Sequence, residues 1–222
     1  MSVVAVEGFV NTDIRVDVTT LERIVGLSHG LDRKARIQLQ KQKIYQHRNQ
    51  LLAQQLETTI QQHDFSVTEY GKPYLTDFPQ FHFNHSHSQK NYALAMSRQI
   101  HDLGVDIEDL DRQVRFQALA DHAFHLNELT YWQDLNQDPV YWFKVWTTKE
   151  AVLKAAGLGV RLSLHELDTQ LNPNHEGGMC SHPMIGTFVY RNFNLGHALL
   201  TVAWRAEQSD ESLRSPEIEI LF

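Results

Sequence analysis

The 222-residue chain contains a single cysteine, Cys180. One thiol cannot form an internal disulfide, so the sequence favours a reducing compartment, and we expect a cytoplasmic protein. Cys180 stands in the loop-like stretch EGGMCSHP, a setting more typical of a bystander than of a catalytic nucleophile.

Long hydrophobic runs are absent as well. No apolar stretch approaches the roughly 18–20 residues that a membrane-spanning helix requires. The first residues, MSVVAVEGFVNTDIRVDV, have no basic leading segment and carry Glu7 early, so we expect no secretory signal. The sequence predicts no membrane partner.

Positive charge is also scarce, because 20 Lys and Arg stand against 27 Asp and Glu and give a formal net charge of −7. A nucleic-acid-binding surface is broadly basic, so we expect no nucleic-acid partner. Residues 33–48 are a local exception, with six basic residues and no acid between them. This segment is either a solvated helix face or a binding surface for a small anion.

The hydrophobic periodicity predicts an α+β protein in the order strands, helices, strands, helices, strands. Predicted strands are SVVAVEGFV, DIRVDV, FSVTEY, FHFNHS, YALAMS, LGVDIE, GTFVYRNF, HALLTVAW and EIEILF. Helices are predicted over residues 21–62 with a break near Gly26–Gly30, over VRFQALADHAFHLNELTYWQDL, and from Asp138-Pro139 to Gly157 or Gly159. We expect two lobes, residues 1–103 and 104–222, and find no internal repeat.

The stretch GVDIE places two carboxylates together. Alternate side chains of a strand share a face, so Asp106 and Glu108 point the same way. Each carboxylate raises the cost of ionising the other, and a divalent cation would remove that cost. Oxygen-only ligands suit Mg²⁺. The alternative is an exposed strand end with no ligand.

The stretch WTTKEAVLK brings Trp146, Glu150 and Lys154 near one helix face through their i, i+4, i+8 spacing. A core tryptophan beside a stabilising Glu–Lys pair explains this pattern. Glu150 as a third metal carboxylate also explains it, with Lys154 and its neighbour Lys149 either binding phosphate oxygens or pairing with the acids.

The stretch FNHSHS allows three interpretations. Zinc would use His82, His85 and His87, although a strand points them to different faces and no cysteine accompanies them. A hydrolase would use Ser86 or Ser88 with His87 and Asp106, but no G-x-S-x-G elbow surrounds either serine. A strand end with hydroxyls, an imidazole and free backbone N–H groups can also hold phosphate.

Taken in order, these pieces resemble the 4′-phosphopantetheinyl transferases of the Sfp type, in the holo-acyl-carrier-protein synthase superfamily. The run that carries the resemblance extends from Glu69 to Val160 and reads EYGKPYL, FHFNHSHS, LGVDIE, HLNELTYW and WFKVWTTKEAVLKAAGLGV. The resemblance implies two pseudo-symmetric lobes, each a small antiparallel sheet with packed helices, around a cleft for coenzyme A and Mg²⁺. It implies transfer of the phosphopantetheine arm from coenzyme A to a serine of an apo acyl, peptidyl or aryl carrier protein, with release of adenosine 3′,5′-bisphosphate.

The resemblance also implies roles for individual residues. Asp106, Glu108 and Glu150 would bind Mg²⁺, with Mn²⁺ as an alternative. On chemical grounds the carrier serine needs a base, and Glu150 would serve, directly or through a metal-bound water. Lys154 would contact the pyrophosphate, and His87 would share in the catalytic charge. FNHSHS then becomes a phosphate cradle.

Contacts with coenzyme A are implied at eight positions. The pair Ser86 and His87 would grip a phosphate, the GKP turn would line the nucleotide, and basic residues of the first long helix would lie near the 3′-phosphate. The eight are Arg33, Arg36, Arg48, Lys72, Pro73, Ser86, His87 and Lys154.

Two positions depart from the family pattern. His85 stands where the family usually has an apolar residue, and Gln89 where it often has glycine, which puts the tightness of that turn in doubt. Two other functions stay open: a non-catalytic coenzyme A or nucleotide-binding module of the same fold, and a Ser/His-dependent hydrolase. Since one chain would hold both lobes, we expect a monomer.

Overall fold

The structure is a computed structural model that describes residues 12–26, 32–206 and 215–222. The predicted strand SVVAVEGFV lies outside the described residues. Within these ranges the strands are β1 Ile14–Thr20, β2 Phe65–Val67, β3 Pro73–Leu75, β4 His82–His87, β5 Asn91–Ser97, β6 Gly104–Asp109, β7 Gly177–His182, β8 Gly186–Asn194, β9 Ala198–Arg205 and β10 Ile218–Leu221. The α-helices of the same ranges are α1 Leu21–Val25, α2 Arg33–Leu56, α3 Phe116–Ala123, α4 Leu126–Asp134 and α5 Pro139–Ala156.

The strands form two four-stranded sheets and a small ribbon. The first sheet has the order β10-β1-β5-β4, the second has the order β6-β9-β8-β7, and β2 pairs with β3. All described pairings are antiparallel except that of β1 with β10. The α+β class predicted from the sequence is confirmed.

Alternation along the strands explains how the layers stack. One face of β1 and β5 packs against β6 and β9 through Val16, Ala95, Val105 and Val202, so that the two sheets share a core. The opposite face of the first sheet packs against α2. The opposite face of the second sheet packs against α5. The layer order is therefore helix, sheet, sheet, helix.

The α5 helix begins and ends as its sequence predicts. Asp138 caps the N-terminus by accepting a 2.9 Å hydrogen bond from the Tyr141 amide, and Pro139 occupies the first helical position. Gly157 ends the helix with a positive φ of 70°, a conformation that glycine adopts without strain. Where β6 passes α5, Gly104 allows the backbones to touch, since a Cβ there would lie 2.1 Å from the Ala151 oxygen.

Several elements differ from the prediction. The helix expected over residues 114–135 is divided at Phe124, which is extended, and His125 caps the separate α4. The stretch around Cys180, predicted to be a loop, is strand β7, because Cys180 pairs with Phe188 of β8 and is buried. Burial raises the pKa of the Cys180 thiol to about 12, so the thiol stays protonated and unreactive.

The division into lobes at residues 103 and 104 stays a prediction. The structure adds that β10, at the far end of the sequence, lies beside β1 in the first sheet, with Ile14 opposite Ile218. None of the helices in the described ranges is long and apolar enough to cross a bilayer.

Candidate functional site

The candidate site lies where the edge strand of one sheet meets the edge strand of the other. Asn84 of β4 accepts a 2.9 Å hydrogen bond from the Val105 amide of β6, which joins the two edges directly. The α5 helix packs on β6 from the other side. Three elements therefore bring FNHSHS, GVDIE and WTTKEAVLK together, as the sequence predicted for one site.

Ser86, Asp106 and Lys154 form the centre of this site. The Ser86 hydroxyl donates to Asp106 Oδ1 at 2.8 Å, and the Lys154 ammonium donates to Asp106 Oδ1 at 2.6 Å and to Ser86 Oγ at 2.8 Å. Asp106 and Ser86 are buried, at 5% and 7% exposure. The other carboxylate oxygen, Asp106 Oδ2, is buried and has no hydrogen-bond partner within the described residues.

The other two predicted metal ligands surround this centre. Burial raises the pKa of Glu108, and repulsion from Asp106 adds to the increase, while the 2.6 Å bond from Arg112 opposes it. The pKa of Glu150 is raised by burial and then by Asp106, with Lys154 acting in the opposite direction. The three carboxylates thus repel one another, which is the electrostatic setting that a cation would relieve.

The carboxylates are not gathered around a single point. Within the three described ranges, no group of three or more His, Cys, Asp or Glu side chains could hold a metal ion as it stands. The donor chemistry nevertheless fits a hard divalent cation, since Asp106 Oδ2 is buried without a partner and all three groups are oxygen donors. Lys154 provides the positive charge at Asp106 in this arrangement.

A cavity of about 500 Å³ opens beside Glu150 and Lys154. Its walls come from the GKP turn, from β4, from the end of α5 and from the loop that follows α5. The lining residues are Tyr70, Gly71, Lys72, Pro73, Asn84, His122, Glu150, Leu153, Lys154, Gly157, Gly159, Leu162, Ser163 and Leu164. The volume suits a small-molecule ligand.

Lys72 and Pro73, for which the resemblance implies nucleotide contacts, line this cavity. The Lys72 ammonium donates to the Ala155 carbonyl at 2.8 Å, near the C-terminal end of α5. Burial lowers the pKa of Lys72 to about 8, despite the opposing attraction of Asp102. This lysine therefore loses its charge more readily than an exposed lysine.

The α2 arginines that were predicted to contact coenzyme A do not lie beside the carboxylates of the candidate site. Arg48 is buried, with its guanidinium carbon 3.9 Å from the centre of the Phe65 ring and its nitrogens bonded to Asn49 Oδ1. Burial lowers the pKa of Arg48 from its ordinary value. Arg33 and Arg36 are exposed in the first turns of α2 and do not line the cavity beside Glu150 and Lys154.

The histidines of β4 have separate surroundings. His82 lies against the His101 ring at 4.4 Å, and His85 lies against the Tyr92 ring at 5.8 Å. Burial lowers the pKa of His85 to about 3, so this ring is neutral. His87 is exposed, with Nδ1 3.1 Å from the Ser88 carbonyl oxygen. The three rings do not converge on a zinc ion.

No serine–histidine pair of the hydrolase type is present in the described part of β4. The Ser86 hydroxyl is bonded to Asp106 and Lys154, and the Ser88 hydroxyl is bonded to Asp109 at 2.6 Å. The ring nitrogen bond of His87 goes to a backbone carbonyl. This geometry does not support the hydrolase interpretation.

Lys149 has a different role from the one its sequence position indicates. Its ammonium is 1% exposed and binds Glu128 Oε2 at 2.8 Å, the Leu164 carbonyl at 2.8 Å and the Leu167 carbonyl. The idea that Lys149 faces phosphate oxygens is therefore wrong in this structure. The helix turns Lys149 into the interior and leaves Glu150 and Lys154 at the cavity.

Other cavity residues were missed by the sequence analysis. Asn84 stands inside FNHSHS, and its position beside Ser86 on one strand face was a usable signal. Tyr70 adjoins the GKP turn. His122, Leu162 and Ser163 carry no local pattern that marks them as cavity residues.

The fold and site define an α+β protein whose carboxylate and lysine centre lies between two adjoining sheets. The family model described as the 4′-phosphopantetheinyl transferase superfamily matches residues 102–201, a range that contains Asp106, Glu108, Glu150 and Lys154. The resemblance predicted from the sequence is thus confirmed for this segment.

Curated relatives agree with this match. The chain is 32% identical over 122 residues to 4′-phosphopantetheinyl transferase Sfp of Bacillus subtilis (strain 168), covering 53% of the chain and 50% of the relative. It is 36% identical over 103 residues to 4′-phosphopantetheinyl transferase gsp of Aneurinibacillus migulanus, covering 46% and 41%. It is 34% identical over 124 residues to 4′-phosphopantetheinyl transferase HetI of Nostoc sp., covering 54% and 52%. The chain spans about half the length of the curated relatives it matches.

Proposed function

We propose that this protein transfers the 4′-phosphopantetheine arm from coenzyme A to a serine of an apo acyl, peptidyl or aryl carrier protein. Adenosine 3′,5′-bisphosphate is the second product. One observation carries the proposal: within the segment matched by the superfamily, Glu150 and Lys154 face a 500 Å³ cavity next to Asp106. That arrangement pairs a base and a cation with room for a ligand.

Each side chain has a role that its surroundings support. Lys154 binds a pyrophosphate oxygen when it exchanges Asp106 for the ligand, because its amine already reaches the cavity. The Ser86 hydroxyl and the His87 ring, at the exposed end of β4, together bind a phosphate of coenzyme A. Lys72 and Pro73 form the nucleotide wall. Arg48, together with the exposed Arg33 and Arg36 of α2, belongs to the 3′-phosphate side.

Glu150 is the base that accepts the proton of the carrier serine. Burial and the nearby Asp106 raise the pKa of Glu150, which makes its carboxylate a stronger proton acceptor than an exposed glutamate. Because Glu150 lines the cavity, the serine hydroxyl can approach it from the ligand side.

Asp106, Glu108 and Glu150 would hold Mg²⁺, with Mn²⁺ as an alternative. Such an ion, when bound, supplies positive charge against the pyrophosphate and orients it. The chain's own contribution is a set of oxygen donors, including the unpartnered Asp106 Oδ2. We further propose that the protein acts as a monomer in the cytoplasm, on the grounds that one chain supplies every group of the site and that its one thiol is buried and free.

The test is intact-mass spectrometry of purified apo carrier proteins incubated with the protein, coenzyme A and Mg²⁺. We expect a gain of one phosphopantetheine arm, lost with EDTA and reduced on the order of 10²-fold or more in rate by Glu150→Gln. Asp134→Asn, an exposed acid on α4, is the matched control and should leave the rate unchanged. Coenzyme A binding without transfer to carriers from several pathways would instead support a non-catalytic binding module.

A further inference from the structure

Asp109, the last residue of β6, carries a buried carboxylate that the proposed chemistry does not use. It is 1% exposed. Its Oδ1 accepts from the Ser88 hydroxyl at 2.6 Å and from the Asn91 side-chain amide at 2.7 Å, and its Oδ2 accepts from the Lys90 amide at 3.0 Å. All three donors belong to the turn that joins β4 to β5.

This turn has its own internal closure. The Ser88 amide donates to the Asn91 carbonyl at 2.9 Å, and the Asn91 amide donates to the Ser88 hydroxyl at 3.0 Å. Neither Gln89 nor Lys90 is among the residues with positive φ, so the turn needs no glycine. Gln89 in place of glycine therefore does not loosen the turn. The hydrogen bonds to Asp109 hold the turn in its conformation without the backbone freedom that glycine would provide.

The turn and Asp109 belong to different sheets. Residues 82–97 form two strands of the first sheet, and β6 is the edge of the second. Two side-chain links therefore join the ends of β4 and β6: Ser86 with Asp106, and Ser88 with Asp109. His87 stands between these links, and Glu108 is the residue before Asp109.

These donors place hydrogen bonds on both oxygens of the Asp109 carboxylate. The ammonium of Lys90 pairs with the exposed Asp111 instead. Among the described residues, the donors to this buried carboxylate are all in the turn, so movement of the turn would leave the desolvation of the carboxylate uncompensated. The turn and β6 are consequently fixed to one another.

We propose that Asp109 is a positioning residue that holds the 88–91 turn on the second sheet, and that it thereby sets His87 and Ser86 at the correct distance from the β6 carboxylates for the phosphates of coenzyme A. This inference rests on the proposed function for the identity of the ligand. Whether Asp109 fixes the 88–91 turn can be measured without the transfer reaction.

The experiment compares four variants. Asp109→Ala removes all three acceptor contacts. Asp109→Asn keeps the shape but turns an NH₂ group toward at least one donor. Ser88→Ala removes the hydroxyl contact with Asp109 and also the acceptor of the Asn91 amide, so its exchange is compared at the Lys90 amide, which Asp109 itself accepts. Asp111→Asn is the matched control, since Asp111 is exposed and pairs with the Lys90 side chain rather than with the turn donors of Asp109.

The first readout is hydrogen exchange at the amides of residues 88–91 in the ligand-free protein. We expect about tenfold to hundredfold faster exchange in Asp109→Ala, a smaller increase in Asp109→Asn and Ser88→Ala, and none in Asp111→Asn. Unchanged exchange in Asp109→Asn and Ser88→Ala would overturn the proposal. These two milder variants keep the test valid even if Asp109→Ala fails to fold.

The second readout is the affinity for coenzyme A, measured by calorimetry, and KM against kcat in the transfer assay. We expect Asp109→Asn to raise Kd and KM for coenzyme A on the order of tenfold, with kcat within about threefold. Faster exchange with unchanged Kd would reject the positioning role. A wild-type protein that binds coenzyme A but transfers nothing rejects the proposed function and leaves both the exchange and the Kd tests in force.

Discussion

Lys149 and Glu150 are neighbours on α5, and replacing Lys149 by methionine separates their roles. The substitution keeps the length of the side chain and removes the ammonium, and with it the 2.8 Å bonds to Glu128 and to the Leu164 carbonyl. Glu128 then stays buried at 1% exposure with its donors from His125 and Thr169 but without its cation. Breaking a buried pair from one side costs about 3–5 kcal/mol.

Removing Lys149 from its ion pair with Glu128 is costly, even though the intact pair adds only modestly to the free energy of unfolding. Burial lowers the pKa of Lys149, and the attraction of Glu128 only partly opposes this, so desolvation already offsets much of the attraction. The loss on mutation comes mainly from the carboxylate left behind. For a protein of this size we expect the melting temperature to fall by about 6–20 °C.

Denaturant unfolding followed by tryptophan fluorescence measures this loss. Lys144→Met is the control on the same helix, where the ammonium has only long contacts of 3.4 and 3.5 Å to the Pro173 and His175 carbonyls, and we expect a cost below about 1 kcal/mol. At a temperature where both variants are folded, KM for coenzyme A should match that of the wild type. A Lys149→Met protein with normal stability and weakened coenzyme A binding would refute the structural role.

Four further predictions concern Gly104, Lys72 and Arg115. Gly104→Ala should destabilise the fold by at least about 1–3 kcal/mol in thermal melting, because its Cβ would lie 2.1 Å from a backbone oxygen of α5; an unchanged melting temperature would contradict that contact. Burial lowers the pKa of Lys72 to about 8, so calorimetry should show coenzyme A affinity falling from pH 7 to pH 9 in the wild type and not in Lys72→Arg. The same depressed pKa means that folding stability gains from Lys72 as pH rises above about 8, since the unfolded chain then binds more protons. We also expect the segment from Arg112 to Trp132, which follows β6, to form part of the face that docks the carrier protein. Arg115→Glu, an exposed change at the start of α3, should then weaken carrier binding and spare coenzyme A binding, and an unchanged carrier affinity would exclude the docking role; Arg112 is unsuitable for this test because it donates to Glu108 at 2.6 Å.

Local patterns predicted much of the fold. The Asp138-Pro139 pair and Gly157 set the ends of α5, and alternation in GVDIE placed Asp106 and Glu108 on one face of β6. These features depend on residues close together in the chain, where capping and strand geometry act. The separation of α3 from α4 was missed because the helical periodicity of residues 114–135 continues across the extended Phe124.

The partners of charged side chains were harder to predict. Lys149 was assigned to phosphate because a lysine beside Glu150 looks available, and only the packing of α4 and the 164–169 segment shows that it is engaged. Arg48 was expected near a phosphate, but its guanidinium lies over the Phe65 ring. Asp109 gave no signal, since its donors lie 18 to 21 residues earlier in another sheet.

The parallel pairing of β1 with β10 has a consequence for how the chain folds. Ile14 and Ile218 become neighbours only after about two hundred residues of intervening chain have been made, and closing so long a loop is slow. During synthesis the second sheet can assemble while the first still lacks one strand and shows an unpaired β1 edge, which is the kind of surface that recruits other chains. Expression of residues 1–103 alone would remove β10 as the partner of β1, so that segment should be handled with β10 present, on the same chain or added as a peptide.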